Sequence, residues 1–81
     1  MTESKWITFE EFGRSTTGKT VVWEVVEKAS QGVLGEVKWF GRWRCYGFFP
    51  KLETVFEQQC LRDIADFCEQ QTRAQRGRAS A

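Results

Sequence analysis

The fold is decided by one stretch, Val33-Leu34-Gly35-Glu36-Val37-Lys38-Trp39-Phe40-Gly41-Arg42-Trp43-Arg44-Cys45-Tyr46-Gly47-Phe48-Phe49-Pro50. Aromatic and β-branched residues dominate both halves, as they do in β-strands. Gly41-Arg42 in the middle suits a two-residue type II′ turn with glycine first. Pro50 cannot donate a hydrogen bond to a neighbouring strand, so it ends the sheet. The stretch therefore predicts an antiparallel hairpin with strands at about residues 33–40 and 43–49.

Two further strands are predicted upstream of this hairpin. Residues 20–28 are rich in β-branched side chains, and residues 5–12 are aromatic and β-branched. The segment between them is polar and bounded by Gly13 and Gly18, which is typical of a turn. The sequence thus predicts an antiparallel meander of three or four strands, and whether residues 6–12 pair as a strand stays open.

After Pro50 the hydrophobic period changes from two to that of a helix. Thr54 and Glu57 have the spacing of a capping box, which predicts a helix from about residue 55, or from one turn later if residues 54–56 stay extended. The helix is expected to end near residue 72. We expect an α+β domain over residues 1–72 and a flexible basic tail over residues 73–81. The predicted apolar stripe of the helix, with spacings of three and four, consists of Cys60, Leu61, Ile64, Phe67 and Cys68.

The predicted turn also fixes the register of the hairpin. Phe40 should lie opposite Trp43, and Trp39 opposite Arg44, close enough for a cation–π contact. One face is the more uniformly apolar and is expected to contact the helix: Val33, Val37, Trp39, Tyr46 and Phe48. One helix covers one face only, so the other face must be covered by the first strand or by a partner. That face carries Leu34, Glu36, Lys38, Phe40, Trp43, Cys45 and Phe49.

Charge is balanced overall and segregated along the chain. Twelve Lys and Arg oppose eleven Asp and Glu, for a formal net charge of +1, so the overall charge does not impose attraction to nucleic acid. Residues 38–51 carry cations and no acid, whereas residues 53–69 are mainly acidic. No stretch is long and apolar enough for a membrane span, and residues 1–4 lack the features of a signal peptide. We therefore expect a cytoplasmic protein.

The composition argues against an enzyme. A chain of 81 residues with no histidine builds a single small core with no deep cleft, and it lacks the ligands of a typical zinc site. No catalytic residue, metal or cofactor is expected, and the three cysteines are predicted to be free, packed thiols.

A segment before the second strand has the spacing of a phosphate-binding loop. It reads Gly13-Arg14-Ser15-Thr16-Thr17-Gly18-Lys19-Thr20. Such a loop joins a parallel strand to a helix, whereas the residues after Lys19 predict a strand. Nucleotide hydrolysis is therefore not expected.

Part of the hairpin resembles cold-shock domains. The segments Gly35-x-Val37-Lys38-Trp39-Phe40 and Tyr46-Gly47-Phe48-Phe49 are similar to the Gly-x-Val-Lys-Trp-Phe and Gly-Phe-Gly-Phe segments that stack on single-stranded nucleic acid in that family. The resemblance implies such a role for Lys38, Trp39, Tyr46 and Phe48. It covers residues 35–49 only, and the helical pattern that follows predicts a shared hairpin rather than the five-stranded barrel.

A wider pattern, from Lys19 to Arg73, resembles a group of small bacteriophage and prophage proteins of unassigned function. It implies a phage accessory protein and assigns no activity. The residues that carry it are Lys19-Thr20-x-Val22-Trp23-x-Val25, Leu34-Gly35-x-Val37-Lys38-Trp39-Phe40-Gly41-x-Trp43-Arg44-x-Tyr46-x-Phe48-Phe49-Pro50, Thr54-x-Phe56 and Cys60-Leu61-x-Asp63-Ile64-Ala65-Asp66-Phe67.

Two function classes fit these patterns. The first, which we favour, is binding of single-stranded nucleic acid by the aromatic and basic hairpin. The second is a protein-binding accessory factor, either a modulator of a host protein or a self-associating domain, that uses the same face as a hydrophobic anchor and could form a homodimer. The hairpin aromatics also fit a purely structural core. The candidate binding residues are Lys38, Phe40, Arg42, Trp43 and Arg44, with possible phosphate contacts from Arg73, Arg76 and Arg78.

Overall fold

The computed structural model describes residues 4–80, with side chains through residue 77. Its four strands form one antiparallel sheet in the order β1-β2-β3-β4, followed by one helix. The predicted α+β meander is confirmed, and the first strand pairs with the second. The elements are β1 (Ile7–Arg14), β2 (Val21–Glu27), β3 (Val33–Phe40), β4 (Cys45–Pro50) and α1 (Gln58–Ser80).

The core lies between α1 and one face of the sheet. Val25 and Val37 at its centre are fully buried, and burying an aliphatic side chain of this size stabilises a fold by about 1.5–3 kcal/mol. Phe67 of α1 stacks on Phe9 of β1, with ring centroids 4.0 Å apart. The buried residues of this core are Ile7, Val25, Val37, Tyr46, Cys60 and Ile64.

One residue of the predicted helical stripe lies outside this core. Cys60 and Ile64 are buried, and Phe67 and Cys68 pack against them, but 51% of Leu61 is exposed. Leu61 lies about three helical turns before Thr72 and hence on the same flank of α1. Thr72 contacts the edge strand β4, so this flank lies at the edge of the sheet. The prediction that Leu61 belongs to the core is wrong.

The helix begins at Gln58, directly after its N-cap residue. The side chain of Glu57 accepts a hydrogen bond from the backbone N–H of Cys60 at 2.5 Å, which makes Glu57 the N-cap residue. The capping box predicted at Thr54 is not formed, because the Thr54 hydroxyl donates to the Lys51 carbonyl instead. Residues 54–56 precede the helix and the Phe56 ring packs edge-on against Phe48, 5.0 Å away, which is the second of the two predicted starts.

At its other end α1 continues to Ser80 rather than stopping near residue 72. Residues 73–80 therefore extend the helix, whereas Ala81 lies outside the described residues. The expected flexibility of this tail stays a prediction. No helix within residues 4–80 is long and apolar enough to cross a membrane.

The β3–β4 turn differs from the prediction. It contains residues 41–44, and Phe40 lies opposite Cys45 with Trp39 opposite Tyr46. Gly41 does not adopt the positive φ that a type II′ turn requires of it, and Arg44 instead has φ 54°. The expected pairings of Phe40 with Trp43 and of Trp39 with Arg44 are therefore wrong.

The assignment of faces nevertheless holds, since the register differs by two residues and side chains alternate with a period of two. Trp39, Tyr46 and Phe48 lie on the helix side, as expected. One exception is a β-bulge at Leu34, where Gly35 pairs with Val25 but Val33 pairs with Val26. The bulge turns Leu34 toward the core and Val33 away from it, which reverses their predicted positions.

Candidate binding surface

Four side chains form a cluster on the sheet face that points away from α1. The Phe40 ring lies edge-on to Trp43 at 5.0 Å and to Phe49 at 6.1 Å between centroids. The Lys38 ammonium lies 4.7 Å from the centre of the Phe49 ring, a cation–π contact. Trp43 is 71% exposed and Phe49 is 37% exposed. We call Lys38, Phe40, Trp43 and Phe49 the outer aromatic cluster.

Strand alternation and the turn together build this cluster. Lys38 and Phe40 alternate with the core residues of β3, so they point outward. Trp43 is brought back over the sheet because its backbone N–H bonds to the Phe40 carbonyl at 3.2 Å. β1 lies at the far edge of the sheet and does not cover the cluster. The surface is therefore open to a partner.

The outer face next to the cluster is acidic. Glu10 lies directly opposite Glu24, Glu24 lies opposite Glu36, and Glu36 in turn lies opposite Phe49. Like charges in such positions repel each other. Lys38 offsets part of this charge, with its ammonium 3.3 Å from a Glu36 carboxylate oxygen. An anionic ligand would thus be repelled from the middle of the sheet and confined to the end that carries the cluster.

That end of the molecule is basic. In an antiparallel meander, the β1–β2 turn and the β3–β4 turn lie at the same end of the sheet. Arg14 and Lys19 from the first turn thereby join Arg42 and Arg44 from the second. Arg14 and Lys19 were not among the predicted binding residues. The predicted strand order could have identified them, because alternate turns of a meander lie at the same end of the sheet. We call this region the basic end.

The C-terminal half of α1 reaches the same end. The Arg76 guanidinium donates two hydrogen bonds to the Arg44 carbonyl, at 2.7 and 3.2 Å. Arg73 is paired with Glu69 on the helix surface at 2.8 Å, which reduces its attraction for a phosphate. The side chain of Arg78 lies outside the described residues. Among the predicted tail contacts whose side chains are described, Arg76 is held at this end by its bonds to Arg44.

The predicted binding residues are thus divided between two places. Lys38, Phe40 and Trp43 meet in the outer aromatic cluster. Arg42 and Arg44 lie exposed in the loop beside it. The aromatic residues singled out by the cold-shock resemblance face α1 instead: Tyr46 is 6% exposed and packs edge-on with Trp39 at 5.6 Å.

The glycine-rich segment before β2 forms the β1–β2 turn. Gly18 has φ 75°, a conformation open to glycine, and its N–H bonds to the Ser15 carbonyl at 2.8 Å. Antiparallel strands flank the turn on both sides. It therefore lacks the strand–loop–helix setting of a phosphate-binding loop.

The three cysteines are free thiols, as predicted. Burial raises the pKa of Cys68 to about 11, with a smaller contribution from the nearby Cys45. Burial, and then the Glu57 carboxylate, raise the pKa of Cys60. Both groups stay protonated near neutral pH, so neither is an activated nucleophile.

A cleft of about 560 Å³ lies between α1 and the β1 side of the sheet. Phe9, Trp23 and Phe67 line it, and Asp63 and Asp66 lie at its rim. The Asp63 carboxylate accepts hydrogen bonds from Ser4 at 2.6 Å and from Gln59 at 2.9 Å. Asp63 therefore ties the segment before β1 to the helix.

The chain matches no known family model, and no curated protein or solved structure is significantly similar to it.

Proposed function

We propose that this chain is a small, non-enzymatic accessory protein of phage type that binds single-stranded nucleic acid in the host cytoplasm. The phage context rests on the sequence pattern from Lys19 to Arg73. The binding proposal rests mainly on one observation, the position of the outer aromatic cluster beside the basic end.

The cluster suits unpaired bases. Trp43 offers an exposed ring that Phe40 supports from the side, and stacking of a base on such a ring contributes about 1–3 kcal/mol. Bases in a duplex are already stacked on each other, so only a single strand can present them in this way.

The charges suit a phosphate backbone that crosses the ends of the strands. Arg42 and Arg44 lie beside the stacking ring, and Arg14 and Lys19 lie further along the same end. The row from Glu10 to Glu36 repels phosphates from the centre of the sheet. The expected site is therefore short, and the strand runs past the two turns rather than across the sheet.

Fluorescence-anisotropy titrations with labelled oligonucleotides test this function. Single-stranded DNA and RNA of about ten nucleotides should bind more tightly than a duplex of equal length. The logarithm of the binding constant should fall linearly with the logarithm of the salt concentration, since each phosphate contact releases a counterion. Equal binding of single strand and duplex, or no binding at low salt, would exclude the proposal.

The alternative is a protein-binding accessory factor that uses the same cluster as a hydrophobic anchor. The exposure of Trp43 and the pairing of Lys38 with Glu36 favour it, because an exposed tryptophan beside neutralised charge is typical of a protein interface. The salt dependence separates the two candidates, since a desolvated apolar anchor is not screened by ions.

A further inference from the structure

The two edges of the sheet differ in whether their outward backbone groups have hydrogen-bond partners. At the β4 edge, the backbone N–H of Tyr46 donates to the Thr72 hydroxyl at 2.9 Å, and the Arg44 carbonyl accepts from Arg76 at 2.7 Å. Pro50 has no N–H to offer. Side chains of α1 therefore satisfy hydrogen-bonding groups of this edge and block another strand from pairing there.

At the β1 edge, the backbone of alternate residues points away from the sheet. The Lys28 N–H donates to the Trp6 carbonyl at 3.0 Å, in line with the register that pairs Ile7 with Glu27. Bonded and non-bonded pairs alternate along an antiparallel ladder. Residues 6, 8 and 10 thus bond to β2, and residues 7, 9 and 11 of β1 direct their N–H and C=O groups outward.

The helix does not cover this outward row. It packs on the inner face of the sheet, against β4 and through the stacking of Phe67 on Phe9, and a cleft of about 560 Å³ lies beside it on the β1 side. The regular part of this edge runs over residues 7–11, since a β-bulge interrupts β1 between Glu11 and Gly13. An open edge of this length is a template for pairing with another strand.

We propose that β1 pairs with β1 of a second copy of this chain, antiparallel, about a two-fold axis at Thr8. The pairing joins the two four-stranded sheets into one. It uses backbone groups at the β1 edge and leaves the outer aromatic cluster exposed. The inference is therefore independent of the proposed function.

Pairs of opposite charge favour this register over the other possible registers. With the axis at Thr8, Ile7 lies opposite Phe9 of the second copy, and Lys5, in the bend just before β1, comes near its Glu11. Lys5 and Glu11 are both exposed, and symmetry forms the opposite-charge pair twice. Two other axes bring like charges together, since an axis at Glu10 or at Glu11 sets a carboxylate against its own copy.

Two further registers are less favourable for other reasons. An axis at Ile7 would set the charged Lys5 opposite the apolar Phe9. An axis at Phe9 would place Ile7 opposite Glu11, an apolar residue against a carboxylate. It would also place Thr8 opposite Glu10 and leave Lys5 without an acidic partner. The axis at Thr8 sets Trp6 against Glu10, but it pairs Ile7 with Phe9 and brings Lys5 near Glu11, which the other registers do not. The interface is small, so a weak, reversible dimer is expected.

Sedimentation equilibrium over a wide concentration range at low salt tests the dimer. The wild type should show a concentration-dependent monomer–dimer equilibrium. Lys5→Glu and Glu11→Lys should each weaken the dimer, on the order of tenfold, because each change turns two attractive pairs into repulsive ones. The double variant should restore dimerisation to near the wild-type level. Lys51→Glu and Glu53→Lys carry the same charge changes far from β1 and should have little effect.

A cysteine at the axis tests the register. In the proposed pairing the two Thr8 residues form a pair without mutual backbone hydrogen bonds, with Cβ atoms about 4.5–5.5 Å apart. Thr8→Cys should therefore form a disulfide-linked dimer in the presence of oxidised glutathione. Ser30→Cys, exposed in the β2–β3 turn, is the matched control, and the wild type reports the background from its three native thiols.

Two results would overturn the proposal. One is a protein that sediments as a monomer at every concentration while Thr8→Cys cross-links no faster than Ser30→Cys. The other is a charge-swapped double variant that dimerises no better than either single variant, because the Lys5–Glu11 pairing would then be wrong.

Discussion

Gly35 approaches Phe49 so closely that a Cβ atom on Gly35 would lie 2.6 Å from the Phe49 carbonyl oxygen. The obstacle is backbone, and the Cα of Pro50 lies only slightly further from the same point, at 2.9 Å. A side chain at this position therefore has to push β4 away from β3. Gly35 thus sets the spacing of β3 and β4 at the end of the hairpin away from its turn, next to Phe49 of the outer aromatic cluster.

Gly35→Ala should destabilise the fold by about 1–3 kcal/mol, as overpacking of a tight interior does. Urea unfolding followed by tryptophan fluorescence measures the change. Gly47→Ala is the matched control, since a Cβ there would meet nothing closer than the Phe49 ring at 3.9 Å. Equal midpoints for the two variants would contradict the argument.

Thr72→Val should cost about 1–2 kcal/mol. The Thr72 hydroxyl accepts the Tyr46 N–H at 2.9 Å and donates to the Cys68 carbonyl at 2.7 Å, so valine leaves a partly buried N–H without an acceptor. Thr72→Ser keeps the hydroxyl and should be close to the wild type. Hydrogen exchange of the Tyr46 amide gives a second readout. This amide should exchange faster in Thr72→Val than in the wild type or in Thr72→Ser.

The strands and the helix could be predicted because their patterns are local. Alternation in β3 and the three-and-four spacing around Ile64 each depend on a few neighbouring residues. The turn register could not be predicted in the same way. Gly41-Arg42 fits a two-residue turn by composition, yet the chain closes the hairpin over four residues and places Arg44, not Gly41, at positive φ. This choice also lets Arg76 of α1 bond to the Arg44 carbonyl, a contact that no local pattern contains.

The candidate site was predictable to a similar extent. Phe40 and Trp43 were expected on the open face, and both lie there. Phe40 does so because a register shift of two residues keeps it on its own face, and Trp43 because the bond of its N–H to the Phe40 carbonyl brings it over that face. Lys19 was missed, since it joins the site only through the strand order. The row of Glu10, Glu24 and Glu36 was missed for the same reason, because three strands must be in register before it exists.

Alkylation should detect the raised pKa of the Cys68 thiol. With a pKa of about 11, Cys68 has very little thiolate at pH 8 in the folded protein, so iodoacetamide should label it slowly. The same protein unfolded in urea is the control and should react fast, at a pKa of about 8.5. Mass spectrometry of the tryptic peptides separates Cys68 from the other two thiols.

Because the pKa of Cys68 is raised in the folded protein, the free energy of unfolding decreases as the pH rises. The pKa of Cys68 is higher in the folded state than in the unfolded state, so its contribution is complete below about pH 8.5 and is lost as the pH rises toward 11. The stability difference between the wild type and Cys68→Ser should therefore shrink over this range. A difference that is constant from pH 8 to pH 11 would show that the thiol is not desolvated.

Arg42→Ala should lower the salt dependence of nucleic-acid binding. Arg42 is exposed in the β3–β4 turn, and loss of one phosphate contact reduces the slope of the logarithmic salt plot by about one. Lys51→Ala is the matched control, because it removes an exposed cation beyond β4, away from the basic end. If both variants change the slope equally, overall charge rather than the basic end governs binding.

Trp43→Ala should remove about 1–3 kcal/mol of binding free energy to a single-stranded oligonucleotide and leave the salt slope unchanged, because it deletes a stacking ring and no charge. Stability should change little, since 71% of Trp43 is exposed. Trp6→Ala is the control: Trp6 is 47% exposed but lies at the opposite end of the sheet, so its loss should not affect this binding. Anisotropy titrations of the two variants at matched salt measure both quantities. If Trp43→Ala binds the oligonucleotide like the wild type but no longer associates with a protein partner, and that association is insensitive to salt, the outer aromatic cluster is a protein anchor.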